Sequence, residues 1–261
     1  MDFGISGRCA LVTAGGGGLG SATAMALARE GARVAVADLA EDRALEVATR
    51  IAENGGVARG YVCDLGIGDS IDALVERVRA DLGDPGILVN ITGGPPPTAA
   101  LGVSASTWSA QFNSLVLGVI HLADVVVPVM ASAGWGRVIT STSSGVVAPI
   151  ANLALSNSLR LSLVGWSKSL ANEVGRYGVT VNVVVPGRID TGRVRELDEA
   201  RAKREARPID DVRRASTAGI PLQRYGEPSE FAAAVTFLAG SPASYMTGSV
   251  VRVDGGLIAS I

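Results

Sequence analysis

The residues best placed to do chemistry stand early in the chain, in Thr13-Ala-Gly-Gly-Gly-Gly18-Leu-Gly20, between a short apolar run and an Ala-rich helical pattern. Glycines at a strand-to-helix turn permit positive φ and let a diphosphate approach the backbone. There the free N–H groups and the positive end of the helix stabilise its charge. The glycines alone are a weak signal, and their place between strand and helix makes them informative. Asp38 ends the next apolar run, at about the spacing where a carboxylate accepts hydrogen bonds from an adenosine ribose. It would repel a 2′-phosphate. No Arg or Lys lies in the glycine stretch, and Arg43 is the first basic residue after Asp38, so NAD(H) is expected in preference to NADP(H). The competing role for Asp38 is a helix N-cap.

Two further stretches offer polar or rigid walls. The hydroxyl run Thr140 to Ser144 either binds a polar substrate or is satisfied within the sheet. Pro95-Pro96-Pro97 either stiffens the wall of a site or closes a loop. Cys9 and Cys63 lie in separate apolar runs without metal-ligand spacing, so they read as buried small hydrophobes, with no disulfide and no metal site expected.

The elements that must position these groups alternate along the whole chain. Strands are expected at Arg8 to Ala14, Arg33 to Asp38, Val57 to Asp64, Ile87 to Ile91, Arg137 to Ser141, Val179 to Val185 and Ser249 to Val253. Helical patterns separate them at Leu19 to Glu30, around Ala44 to Ile51, Ile71 to Leu82, Ser106 to Ala131, Asn152 to Arg176 and Ser229 to Gly240. Apolar strands alternating with helices, without hairpin signals, require parallel pairing with right-handed crossovers. The expected fold is α/β, a doubly wound, Rossmann-like parallel sheet of about seven strands with helices on both faces. The mixed-charge stretch from about 190 to 217 follows a strand's carboxyl end and reads as a mobile helical lid, or else as a solvated surface helix.

With 261 residues, 48% of them apolar, the chain suits one domain, 1–261, with a well-buried core. Its net charge of −2 gives no field for nucleic acid or anionic lipid. No basic segment with an apolar stretch opens the chain, and VVVPVM is broken by Pro128, so no membrane span is expected and the location read is cytoplasmic. Asn90-Ile91-Thr92 matches a glycosylation sequon by chance on this reading.

Nearly the whole chain resembles the short-chain dehydrogenase/reductase family. The family's T-G-x-x-x-G-x-G motif stands as Thr13 to Gly20, with Ala14 in place of the first glycine and Gly16, Gly18, Leu19 and Gly20 following. Its adenine-side Asp and apolar residue are Asp64-Leu65, and its N-N-A-G strand end is Asn90-Ile91-Thr92-Gly93. The nicotinamide motif P-G-x-I-x-T is Pro186-Gly187-Arg188-Ile189-Asp190-Thr191, and the ending is matched by Tyr245 to Gly256. The resemblance implies that Thr191 holds a carboxamide and that the backbone near Ile189 positions the nicotinamide. It also implies pairing of two long helices and the last strand across two-fold axes, giving a homodimer or homotetramer; Trp166 and Leu170 suit that pairing or the core. Arg188 faces substrate or cofactor, or pairs with Asp190.

Set against the family's Asn, Ser, Tyr and Lys, the chain keeps the serine as Ser143 and places Leu115, Ser156 and Arg160 at the other three positions. A serine hydroxyl is shorter and far less acidic than a tyrosine's, so Ser156 cannot stand in directly. Arg160 stays charged, able to hold ribose hydroxyls or polarise an oxygen but not to relay a proton. Of the four tyrosines only Tyr225, after the lid, is placed to reach the site. His121 lies six residues from Leu115, off its helical face, and suits packing or a subunit contact.

Three readings follow. The first is an NAD(P)-dependent oxidoreductase with a non-standard site built on Ser143, Ser156 and Arg160, with Pro95, Leu115, Arg188 and Tyr225 toward a small-molecule substrate. An iminium substrate would need no tyrosine acid. The second is a catalytically silent nucleotide-binding or subunit protein. The third is a cofactor-independent lyase of the halohydrin-dehalogenase type, suggested by Arg160 but opposed by the retained Gly18 and Gly20.

Overall fold

The apolar runs become strands because β-branched side chains pack well on a pleated surface buried on both faces. In chain order they are β1 (Cys9–Val12), β2 (Arg33–Asp38), β3 (Val57–Val62), β4 (Pro85–Asn90), β5 (Gly136–Ser141), β6 (Val179–Pro186) and β7 (Val250–Val253). In the computed structural model of the chain, which describes residues 2–261, they form one seven-stranded sheet in the order β3-β2-β1-β4-β5-β6-β7. Every neighbouring pair is parallel. The order reverses between β1 and β4, which is where a doubly wound sheet opens a crevice at the strands' carboxyl ends. The expected Rossmann-like architecture is present.

Successive strand residues face opposite sides of the sheet, so each strand feeds two cores. On one face Val12, Val34, Val36 and Val89 pack with Ala24 and Leu27 of α1 (Gly18–Arg29), Val47 of α2 (Glu41–Glu53) and Val235 of α9 (Pro228–Ala239). On the other, Leu11, Ala35, Leu88 and Val138 pack with Leu74 and Val78 of α3 (Gly68–Leu82) and with α5 (Gly118–Ser132) and α6 (Ala154–Val174). Both cysteines are free and buried. His121 does not pack into the core: its Nε2 lies 2.8 Å from Asp72 Oδ1, tying α5 to α3 at the surface.

Two stretches are divided more finely than the sequence suggests. The regular helix expected over Ser106 to Ala131 is helical from Ala105 to Ser132 but consists of α4 (Ala105–Phe112), a π-helical turn at Asn113–Leu117, and α5. By length and composition it could cross a membrane, which counting uninterrupted apolar runs does not reveal; half of its most apolar part is buried inside the fold, as in a core helix. The stretch expected as a lid is two helices, α7 (Gly192–Glu205) and α8 (Ile209–Ala218). They separate at Ala206, whose φ of 48° ends α7, and at Pro208, which precedes α8.

Candidate nucleotide and substrate site

A cavity of about 750 Å³ lies at the carboxyl ends of the strands, between the glycine loop and α7. That volume is in the range of small-molecule and cofactor sites. Its lining runs from Asp38 and Asp64 at one end, past Gly16 to Gly20 and Thr191, to Ser143, Ser156 and Arg160 at the other.

The nucleotide end is built by the handover from β1 to α1. Helix α1 has Gly17 at its N-cap, no side-chain cap and no acidic residue in its first turn, so its first N–H groups are open to an anion. Glycine is required at position 18, where a Cβ would lie 2.7 Å from Thr191 Cγ2, and at 20, where it would run into the Ala14 carbonyl. Ala14, in place of the family's first glycine, has a φ of 46°. Thr13 tethers two strand ends: its hydroxyl donates to the Ile91 carbonyl at 2.7 Å and accepts from the Ile91 N–H at 2.9 Å.

Asp38 is 5% exposed, and its carboxylate accepts from the Gly16 N–H, the Ala40 N–H and the Arg43 guanidinium, each at 3.0 Å. It therefore orders the glycine loop and holds a cation while also facing the cavity. Asp64 lines the same end beside Leu65, with Oδ1 accepting from the Gly66 N–H at 2.8 Å. Asn90 does not line the cavity: it is 1% exposed, and its amide donates to Thr140 Oγ1 at 3.3 Å, joining β4 to β5.

Pro186, Gly187 and Ile189 line the middle, and Thr191 caps α7, accepting from the Val194 N–H at 3.4 Å. Arg188 does not pair with Asp190. Its guanidinium donates to Asp198 of α7 at 2.8 Å, while Asp190 sits 3.4 Å from Arg195. Tyr225 was expected to reach the site and does not: its side chain is absent from the lining, and its hydroxyl donates to Asp198 at 2.7 Å. Burial and then that carboxylate push the Tyr225 pKa up. Both residues hold α7 in place.

At the far end Ser143 Oγ accepts from the Gly145 N–H at 3.1 Å, which leaves its own proton to donate. Ser156 and Arg160 lie four residues apart on α6, on one helical face, and each is 7% exposed. Arg160 donates to the carbonyls of Gly93 at 2.8 Å, Thr92 at 3.3 Å and Ser141 at 3.4 Å, bracing the ends of β4 and β5. Burial, with the nearby Arg193 charge second, lowers its pKa to about 10. Leu115 enters the cavity from the π-helical turn, and Pro95 is the one of the three prolines that lines it.

Sequence reasoning missed several contributors. Arg193, on the first turn of α7, donates to the Pro95 carbonyl at 2.5 Å across the crevice, and its nearness to Thr191 was the only signal. Asn157 makes two bonds to the Ile150 backbone, at 2.9 and 3.2 Å, fixing the loop between β5 and α6; no spacing marks it. Thr92 and Thr142 also line the cavity, and their Oγ1 atoms are buried without a hydrogen-bond partner among the described residues.

A family model described as enoyl-(acyl carrier protein) reductase matches residues 14–258. The chain is 34% identical over 258 residues to the 3-oxoacyl-(acyl-carrier-protein) reductase FabG of Pseudomonas aeruginosa, covering 98% of this chain and 99% of that one. Its fold is similar to that of the L-sorbose reductase of Gluconobacter frateurii, solved with NADPH and L-sorbose, with TM-score 0.95, 30% identity and full coverage of both chains. It is also similar to an NAD+-bound xylitol dehydrogenase, with TM-score 0.91 and 27% identity, covering 97% of this chain and 99% of that one.

Proposed function

Because the chain belongs to the short-chain dehydrogenase/reductase family, we propose that it is an NAD(P)-dependent oxidoreductase that interconverts a small carbonyl compound and its alcohol through a non-standard active site. The observation that carries this reading is the continuity of one cavity from the uncapped N-terminus of α1 to Ser143, Ser156 and Arg160. A bound nicotinamide supplies or accepts the hydride. The first turn of α1 would hold the diphosphate, Asp38 a ribose hydroxyl, and the wall formed by Pro186, Gly187 and Ile189 the nicotinamide face. Ser143 donates to the substrate oxygen and stabilises the negative charge that grows there, and Arg160 makes that end of the cavity electropositive. With Ser156 at the family's tyrosine position, the alkoxide takes its proton from water.

An iminium ion, which the loss of the tyrosine acid would also suit, meets a buried cation here, so a neutral carbonyl fits the electrostatics better. Asp38 favours NAD(H), and its pairing with Arg43 narrows the margin against NADP(H). The relatives include a reductase solved with NADPH and a dehydrogenase solved with NAD+. The lid over about 190–217 would open through α7 to admit substrate. Exposed Phe112, Leu117 and Leu161 on the long helices suit a homodimer or homotetramer, which light scattering would measure.

One observation favours a second reading, a nucleotide-binding protein without turnover: every Arg160 hydrogen bond goes to a backbone carbonyl, a structural use of the group. Calorimetric titration with NADH and NADPH, followed by assays on ketones, aldehydes, alcohols and cyclic imines, separates the two. Binding with carbonyl turnover supports the oxidoreductase. Binding without turnover supports the silent protein, and no binding at millimolar nucleotide removes both.

A further inference from the structure

The two ends of the cavity differ in charge. Asp38, paired with Arg43, and Asp64 stand at the end under β2 and β3, while the buried cation Arg160 stands at the end under β4 and β5, where the one lining carboxylate among the described residues is Glu196 beside Arg193. Arg160 is 7% exposed and has only carbonyl partners; among the described residues no carboxylate lies within salt-bridge distance of it. The Arg193 guanidinium lies against the adjoining residue, since a Cβ on Gly94 would fall 2.6 Å from its Nε. Arg193 has one acidic neighbour, Glu196, at 3.5 Å and 68% exposed, which offsets little in water. Two guanidinium groups thus lean on one loop, each repelling the other. A buried cation without a counter-charge is costly, and a bidentate oxyanion is what such a pair recognises. Ser156, one turn before Arg160, and Thr92 and Thr142 also line that end.

Resting on the oxidoreductase reading above, we propose that the substrate carries a carboxylate gripped between Arg160 and Arg193, so that it is a short oxo acid or the corresponding hydroxy acid. The other source of an oxyanion is the cofactor diphosphate, because Arg193 follows Thr191 by two residues.

The test uses the full-length protein with saturating NADH and a panel of 2-, 3- and 4-oxo acids, each compared with its methyl ester. The best acid is expected to show a KM about tenfold or more below its ester's, because the ion pair binds the substrate in the ground state as well as in the transition state. In Arg193→Ala that acid-over-ester preference falls about tenfold and in Arg193→Lys it is partly recovered, while the Kd for NADH stays within about twofold. Esters or neutral sugars used as well as the acids, in a protein that binds NADH, overturn the carboxylate site and leave the oxidoreductase reading standing. Weaker NADH binding in Arg193→Ala with an unchanged acid preference assigns Arg193 to the diphosphate and also overturns it. Where NADH does not bind at all, the oxidoreductase reading fails, and calorimetry with acetoacetate decides the site directly. Binding to the wild type but not to Arg193→Ala supports it, and binding to neither overturns it.

Discussion

Arg188, on the loop after β6, and Asp198, on α7, form a 2.8 Å ion pair in which the carboxylate is 1% exposed. The pair fastens α7 to the loop after β6, and Tyr225 adds a second hydrogen bond to the same carboxylate. Asp198→Ala strands the Arg188 charge and is expected to cost about 3 kcal/mol, the low end for a broken buried pair, since Arg188 is 24% exposed. Hydrogen exchange should rise across Gly192–Glu205. Tyr225→Phe should lose only the hydroxyl's bond, roughly 1.5–3 kcal/mol, with turnover within about twofold. A turnover collapse in Tyr225→Phe with α7 still protected would put that tyrosine back into the chemistry.

Arg43 shares Asp38 with the glycine loop, so cofactor choice depends on both residues. Arg43→Ala removes the cation nearest a 2′-phosphate and should raise the ratio of the NADPH Kd to the NADH Kd by about tenfold, equivalent to ~1.4 kcal/mol. Asp38→Ser should lower the ratio of the NADPH Kd to the NADH Kd. Parallel Kd measurements for the two nucleotides check this, and unchanged ratios in both variants would place nucleotide recognition elsewhere.

Burial pushes the Cys9 thiol up from 9.0 to about 12. Between those values the folded chain keeps a proton that the unfolded chain releases, so this stabilisation is complete below pH 9 and is lost as pH rises. At pH 10.5 the loss is roughly 2 kcal/mol. Urea unfolding at pH 8 and 10.5 should show it. Cys9→Ala should reduce the difference by about that amount; Tyr61, also raised by burial, contributes in the same direction.

Ser156 and Arg160 line the far end of the cavity, and on the proposed reading they stand where the family carries its proton relay. The double substitution Ser156→Tyr with Arg160→Lys restores a general acid and the cation that tunes it. Such an acid contributes about 10²–10⁴-fold, so ketone turnover with NADH should rise at least tenfold. No gain, with nucleotide binding intact, would mean that the site positions its substrate for a different reaction.

The sheet could be read from the sequence because burial on both faces writes itself as short apolar runs, and the glycine loop because its steric needs admit few other residues. Arg188 shows where that legibility ends. Asp190 is its sequence neighbour and Asp198 its partner, a choice made by the course of α7 rather than by spacing. Asn157 was invisible for the same reason, since its partner Ile150 lies in a loop without periodicity. Asn90 and Tyr225 were expected at the site because the motif and the chain order bring them near. The structure uses Asn90 to join β4 to β5 and Tyr225 to hold α7.

The π-helical turn at Asn113–Leu117 makes Leu115's place at the cavity a matter of chain length as much as of residue type. Deleting one residue there would regularise the helix, and each residue subtends about 100° of an α-helix. Everything on one side of the deletion would swing through that angle, and a different side chain would face the substrate. A change of one codon's length, leaving the sheet untouched, would therefore rewrite this wall more completely than any point substitution at Leu115.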